Sequence, residues 1–419
     1  MSRPKVAHLT TVDISLRYLL LNQLRYLREE GYDVTGISAP GDSVGVVEAA
    51  GIRHIAVPMT RRYSPASDLV SLARLVRVFR RERFDVVHTH TPKAGLLGQW
   101  AALLAGVPVR VHTIHGLYLP AGSTGLRQRF FVNIERLTMA PSHRNLSQNP
   151  EDIPVAVAER ISRPGLIELI GNGIDIHAFD PALRDRHRRD EVRASLGLDA
   201  SHRVVGMVAR FVAEKGYREM IRAAQTVASR MPEARFLFVG PAEPEKADGL
   251  DPRLIEEAGL AGVVRFLGHR SDVADLYSVM DVLALPSHRE GFPRAPMEAA
   301  ASGVPAVVTD IRGCRQTVDD GKTGYLVPPR DADSLAAALL ELLGDDGRRA
   351  AFGRAARAKA VAEFDERAVF HRIASAYVDV TGGKSSATAG PRPPVLGRSV
   401  YDAGDTQGRR ARAARLTPR

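Results

Sequence analysis

Short apolar runs alternate with helix-length amphipathic segments along nearly the whole chain, which predicts an α/β protein built on parallel sheets flanked by helices. One polar, charged stretch interrupts that rhythm between about Asn172 and Ser201 (HAFDPALRDRHRRD) and predicts two doubly wound domains. The chain is long enough for both: 419 residues, 44% hydrophobic and 25% charged, is an ordinary globular composition that gives each domain its own core. In order, the pattern predicts a strand at Val6–Leu9, a helix from about Leu16 to Glu30 closed by Gly31, and a strand at Val34–Ile37. A helix over about Asp68–Glu82, a strand at Asp85–His88, a helix over about Ala94–Leu104 and a strand at Val109–Ile114 follow. Beyond the interruption come a strand at Val204–Val208, a helix over about Tyr217–Arg230, and strands at Arg235–Val239, Val263–Leu267, Val282–Leu285 and Val304–Val308. The segment from about Arg349 to Val378 is long, helical and rich in Ala and Arg.

The domain boundaries expected on this reading are 1–180, 181–365, a helix at 366–380 returning to the first domain, and a basic disordered tail at 381–419. That tail holds eight basic residues against Asp402 and Asp405, so most of the net charge of +10 lies outside the folded part and nucleic acid is not an expected partner. The single cysteine, Cys314, excludes an intrachain disulfide framework and a thiolate zinc cluster and points to a reducing, cytoplasmic location. No apolar run is long enough to span a membrane, and Met1 to Lys5 does not lead into a signal-peptide core.

In an open α/β sheet ligands bind beyond the carboxyl ends of the strands. Three strand ends carry suggestive residues. After Val208 come Arg210, Lys215 and Gly216 at a strand-to-helix turn, a pair of cations suited to a pyrophosphate, although alone they also read as surface charges. After Leu285 come Glu290, Gly291, Phe292 and Pro293, then Pro296 and Glu298, so a helix begins near Pro293 to Pro296 with one carboxylate before it and one in its early turns. Those carboxylates suit hydroxyls on either side of a diphosphate, or simply cap the helix. After Ile114 comes His115, and His88, His90 and His112 occupy similar strand ends. With no carboxylate at ligand spacing, a metal site is not expected.

Together the phrases VARFVAEKG, ALPSHREGFPRAPMEAAASGVPAVVTDIRGC and DDGKTGYLVPPRD, with DVVHTHTPKAG, VHTIHG and GNGID upstream, resemble the retaining family 4 glycosyltransferases. The opening LTTVDISLRYLL and the HTHTPKAG segment look most like the branch that builds bacterial exopolysaccharide, capsule and lipopolysaccharide units. The resemblance covers about Val6 to Val378 and implies a GT-B fold, two Rossmann-like domains with a cleft between them. It implies that Arg210 and Lys215 bind the donor diphosphate, and that Glu290 with backbone groups of Gly291, Phe292 and Pro293 holds the donor sugar. Glu298 would bind the ribose, His115 would orient the sugar near its anomeric carbon, and an early loop containing Thr10, Thr11, Asp13 and Ser15 would line the acceptor side. The implied partners are a nucleotide-sugar donor, UDP by family frequency, and a polyprenyl-linked, glycolipid or saccharide acceptor. No metal or other cofactor is expected, since cations of the chain neutralise the leaving group.

Three departures stand out. Thr10-Thr11-Val12-Asp13 replaces the Gly-Gly pair of many relatives, Pro296 threatens to delay the helix that carries Glu298, and Arg160 to Leu166 matches no recognisable pattern. Sugar-nucleotide epimerases share the architecture but lack these phrases, and a small-molecule acceptor is a further alternative. A dinucleotide dehydrogenase fails because no glycine lies between Leu9 and Arg17. Finally, Asp68–Arg83 is amphipathic and basic, with Arg74, Arg77, Arg80, Arg81 and Arg83 and with Arg61 and Arg62 upstream. Such a helix either faces a core or docks on an anionic membrane surface, the second giving peripheral, salt-sensitive association.

Overall fold

The computed structural model describes residues 3–117 and 125–381. They form two compact units, one containing residues up to Asn172 together with the segment that begins at Glu366, the other Gly173–Asp365. Residues 173–180 thus fall in the second unit, where Ile174 and Ile176 pack with Met297, Ala360 and Phe364. The basic tail, from 382 onward, lies outside the described residues.

The first unit is a seven-stranded parallel sheet of order β3-β2-β1-β4-β5-β6-β7. Its strands are β1 Lys5–Val12, β2 Asp33–Ala39, β3 Arg53–Ala56, β4 Val86–His90, β5 Val109–Ile114, β6 Arg144–Ser147 and β7 Ile167–Leu169. Side chains alternate between its faces. Val6, Val86, Val109 and Val111 pack on one face with Leu20, Leu24 and Leu27 and with Val369, Phe370, Ile373 and Tyr377 of the closing helix Glu366–Thr381. Ala7, Leu9 and Val87 face the other way, against Leu75 and Phe79 of helix Pro65–Glu82 and Ala101 and Ala102 of helix Pro92–Ala105.

The second unit is a six-stranded parallel sheet of order β10-β9-β8-β11-β12-β13. Its strands are β8 Arg203–Val208, β9 Ala234–Val239, β10 Val264–Gly268, β11 Val282–Leu285, β12 Ala306–Thr309 and β13 Gly324–Val327. Helix Tyr217–Arg230 buries Tyr217, Met220, Ala224 and Val227 on one face beside Phe211, Phe236 and Phe238. In both units the strand order reverses beside the first strand, between β1 and β4 and between β8 and β11. Ligands of doubly wound sheets bind at the carboxyl ends of such strand pairs.

One expectation needs correction. The residues expected to form a loop from Thr10 to Ser15 do not: Thr10 and Thr11 complete β1, and helical geometry starts at Asp13, three residues before the predicted start. It continues through a π-helical segment, Leu16–Leu20, into helix Leu21–Glu29. The closing segment is two helices, Asp346–Glu363 and Glu366–Thr381. They are separated at Phe364, whose carbonyl accepts from Ile174 N.

Candidate functional site

In the second unit the turn after β8 and the loop after β11 are stitched together. Lys215 Nζ lies 2.7 Å from Glu290 Oε1, with side-chain exposures of 16% and 10%. Ser287 Oγ donates to the same carboxylate oxygen at 2.7 Å, and Thr309 Oγ1 at the end of β12 donates to Ser287 O at 2.6 Å. Arg289 pairs with Glu214 at 2.6 Å, and His288 N donates to Glu214 O at 2.9 Å. The approach is close enough to require Gly216. Its φ is +81°, and a Cβ there would stand 2.0 Å from Pro286 O. Arg210 does not share this carboxylate. Its Nη1 lies 2.8 Å from Glu243 Oε2 on the loop after β9, where Lys246 Nζ also binds. Lys215 and Glu290 are therefore brought together, whereas Arg210 is held by another acid.

Helix Arg294–Ala301 begins at Arg294, with Pro293 as the extended residue before it. Pro296 is consequently the third helical residue, inside the first turn, where its missing N–H forfeits no helical bond. The feared late start does not occur, and Glu298 lies four residues after Arg294, with Arg294 Nε 3.7 Å from its Oε1. Tyr277 OH donates to Glu298 Oε2 at 3.1 Å. Burial pushes the Glu298 carboxyl up, and the charge of Arg294 and the Tyr277 hydrogen bond draw it back. Burial likewise pushes the Tyr277 phenol well up. The backbone contribution expected from Pro293 is also narrower than read from the sequence: lacking an N–H, Pro293 can offer only a carbonyl. The loop of Gly313 (φ +94°) packs against the carbonyls of Glu290 and Gly291, which a Cβ would approach to 2.7 and 2.5 Å.

In the first unit, the ends of β1 and β4 meet through Thr11 Oγ1 and Thr91 Oγ1, 3.0 Å apart. Thr91 has φ +66°, a strained conformation for a β-branched residue, at the turn into helix Pro92–Ala105. Buried Lys93 anchors that turn to Asp68 at 2.5 Å and to Arg62 O at 2.5 Å. Thr10 Oγ1 turns back to Val12 O at 2.9 Å. Asp13 is committed elsewhere: its Oδ2 accepts from Ser43 N at 2.7 Å, bracing the turn after β2. Ser15 is half-buried in the first helical turn, next to exposed Ile14 and close in sequence to exposed Tyr18 and Leu19.

His115 follows β5 as expected, and of the three other strand-end histidines His90 is its direct partner at 3.1 Å and His88 lies next to His90, whereas His112 does not join them. His88 and His90, two residues apart, point to one face of the sheet, and His8 of β1 joins them there. His112 faces the opposite side, bonded to Thr89 Oγ1 at 2.9 Å. Ring nitrogens of His8, His88 and His90 lie within 4.8 Å of one another. Each is used in a hydrogen bond, so an ion there would have to displace the bonds that join the rings. Burial lowers all five histidines, His8 and His112 to about 3 and His115 to about 4. Ser287, Thr309, Tyr277 and His8 were missed by sequence reasoning. Ser287 lay in plain view two residues after a strand, whereas nothing local marks Tyr277 or His8 as a partner.

Two family models match the chain: a glycosyl transferase 4-like domain over residues 17–173 and glycosyl transferases group 1 over residues 188–359, together well over half of its length. The chain belongs to the group 1, family 4-like glycosyltransferases. Among relatives of this glycosyltransferase is the capsular polysaccharide biosynthesis glycosyltransferase CapM of Staphylococcus aureus, 28% identical over 90% of this chain and 97% of that one. Another is the UDP-Gal:alpha-D-GlcNAc-diphosphoundecaprenol alpha-1,3-galactosyltransferase of Escherichia coli, 28% identical over 91% of this chain and 99% of that one. Anabaena HepE, solved in complex with UDP and glucose, superposes with a TM-score of 0.77 at 22% identity, covering 90% of this chain and 100% of that one. The two parallel sheets are those of the GT-B fold. No helix among the described residues is long and apolar enough to cross a membrane.

Proposed function

We propose that this glycosyltransferase moves a sugar, with retention of configuration, from a UDP-sugar to a lipid-linked or saccharide acceptor in bacterial surface-polysaccharide or glycolipid assembly. The observation that carries the proposal is the Lys215–Glu290 pair at the carboxyl ends of β8 and β11, where a doubly wound sheet presents its ligand. Lys215 and Arg210 bind the diphosphate and stabilise the charge that grows on it as the sugar–phosphate bond breaks. Glu290, fixed by Ser287, accepts hydroxyls of the donor sugar together with the backbone at Gly291 and Phe292. Glu298 takes the ribose hydroxyls; Tyr277 and Arg294 orient its carboxylate for them. The acceptor's proton passes to the departing phosphate during front-face attack, so the reading needs no enzymic base. His115 holds the sugar near its anomeric carbon.

On the acceptor side, buried Thr10 and Thr11 near the end of β1 lead into a helical turn where Ser15 follows exposed Ile14 and precedes exposed Tyr18 and Leu19, apolar surface suited to a lipid carrier. The names of the Escherichia coli and Staphylococcus aureus relatives support a surface-polysaccharide acceptor and, in the first case, a UDP donor. Helix Pro65–Glu82 supports peripheral membrane association from the cytoplasm: Leu75 and Phe79 are buried, whereas Leu69 and Val70 are 67% and 51% exposed beside Arg74, Arg77, Arg80 and Arg81. The test is calorimetric titration with UDP, GDP, ADP and dTDP and their sugar conjugates, on wild type and Glu298→Ala. Micromolar binding of UDP, weakened by the substitution, is the expected result. Absence of binding by every nucleotide to folded protein would overturn the donor assignment.

A further inference from the structure

His115 terminates an unbroken line of hydrogen-bonded rings running through the first unit. Thr113 Oγ1 lies 2.7 Å from His88 Nε2, and His88 Nδ1 lies 2.5 Å from Tyr377 OH. Tyr377 OH is 3.4 Å from His8 Nε2, and His8 Nδ1 is 3.1 Å from His90 Nε2. His90 Nδ1 is 3.1 Å from His115 Nε2, and His115 Nδ1 is 3.2 Å from Gln148 Oε1. Both nitrogens of all four rings are thus partnered. Burial keeps each ring uncharged, so each carries one proton and must donate through one nitrogen and accept through the other.

That constraint makes the direction of the whole line a single choice, and Gln148 makes it. Its Nε2 donates to Asn172 Oδ1 at 3.1 Å, which leaves Oε1 as an acceptor towards His115. His115 must then hold its proton on Nδ1 and accept at Nε2 from His90. His90 must accept from His8, His8 from the Tyr377 hydroxyl, Tyr377 from His88, and His88 from Thr113. We infer that Gln148 is a positioning residue that, through this line, holds His115, His90, His8 and His88 all in the Nδ1–H tautomer. The His115 ring is then fully committed within its own unit and meets a sugar as a fixed, neutral surface rather than as an acid or base. Only this last consequence rests on the placement of His115 against the donor under the proposed function.

The tautomers are read without substrate, from long-range proton–nitrogen correlations of the full chain labelled with 15N-histidine at pH 7. Wild type is expected to show Nδ1–H at all four rings. Gln148→Glu keeps an acceptor and is expected to keep that pattern. Gln148→Lys offers only donors and is expected to invert all four rings to Nε2–H, including His88 at the far end, which a local packing role would not move. Adding Tyr377→Phe to Gln148→Lys cuts the line, so His90 and His115 invert while His88 does not. Trp100 fluorescence checks that each variant is folded. Nε2–H at His115 in the wild type, or His8 and His88 unmoved in folded Gln148→Lys, would overturn the inference. So would stoichiometric binding of Co²⁺ with loss of the His8, His88 and His90 signals, because the rings would then be metal ligands. Nucleotide titration of the same samples tests the donor assignment separately, so failure of one reading is distinguishable from failure of the other.

Discussion

Lowering the pH from 6.5 to 5 is expected to destabilise the first unit by ~8 kcal/mol. His8, His88, His90, His112 and His115 are all pushed down by burial, so at pH 5 each remains uncharged in the folded chain. Once unfolded, each titrates near 6.5. Across this interval the unfolded chain therefore binds protons that the folded chain does not, at a cost to stability of roughly 1–2 kcal/mol per ring. The sign follows from folded values that lie below the unfolded one: the contribution is complete above pH 6.5 and is lost as the pH falls towards the folded values. Among the described residues no carboxylate bonds to any of the five rings, so no opposing ion pair forms on protonation. Carboxyls held low by ion pairs, such as Glu82 beside Arg53, give up their contribution as the pH falls from the ordinary carboxylate range towards their lower folded values, mostly below pH 5. The interval thus isolates the histidines. The single tryptophan, Trp100, donates to Leu137 O at 2.9 Å within this unit, so its fluorescence reports this unit in a urea titration. With a urea slope of about 1–3 kcal/mol per molar, the midpoint should fall by ~3 M or more, or the unit should already be unfolded at pH 5. A midpoint that moves by less than ~0.5 M would refute the reasoning.

The remaining predictions concern the second unit and the surface. Glu298→Ala should weaken nucleotide binding about 10–100-fold by calorimetry, the loss of charged hydrogen bonds to two hydroxyls; unchanged affinity would remove the ribose role. Lys215→Ala should lower the transfer rate by about 10²–10³ in a product assay, as removal of a donor to a developing negative charge does elsewhere, and a full-rate variant would sink that assignment. Gly216→Ala, forced to φ +81° against Pro286 O, should cost at least ~1–2 kcal/mol in thermal unfolding of the second unit. Replacing Arg74, Arg77, Arg80 and Arg81 by Glu should abolish flotation with anionic liposomes at low salt, and if wild type does not float either, the membrane contact is wrong.

The strands and most helices were legible because buried parallel strands are short, continuous apolar runs, as Val204–Val208 and Val282–Leu285 show. The spacing of Glu290 and Glu298 around a helix start was legible too, and the helix began early enough for Pro296 to do no harm. Pairings across sequence were not. Tyr277, at the end of the short helix Val273–Tyr277, reaches Glu298 on helix Arg294–Ala301, and Glu243 on the loop after β9 takes Arg210 on the turn after β8, contacts between separate elements that no local pattern encodes. Parity alone groups His88 with His90, but placing His8 beside them and His112 opposite needs the register of β1, β4 and β5. The first helix began before Leu16 because Asp13 could bond to Ser43, thirty residues away, a tertiary contact that no local pattern encodes.

The first unit is assembled from two separated pieces of chain, and its last helix supplies Tyr377, Ile373 and Phe370 to the interior. On the ribosome, residues 1–172 therefore emerge well before the helix that completes their core, while Gly173–Asp365 is continuous and can close as soon as it is made. The portion synthesised first is the portion finished last, and until Tyr377 arrives His8 and His88 lack the hydroxyl that joins them. Chains stalled before residue 366 should accordingly be protease-resistant over Gly173–Asp365 and protease-sensitive upstream, and release of the final helix should reverse that sensitivity.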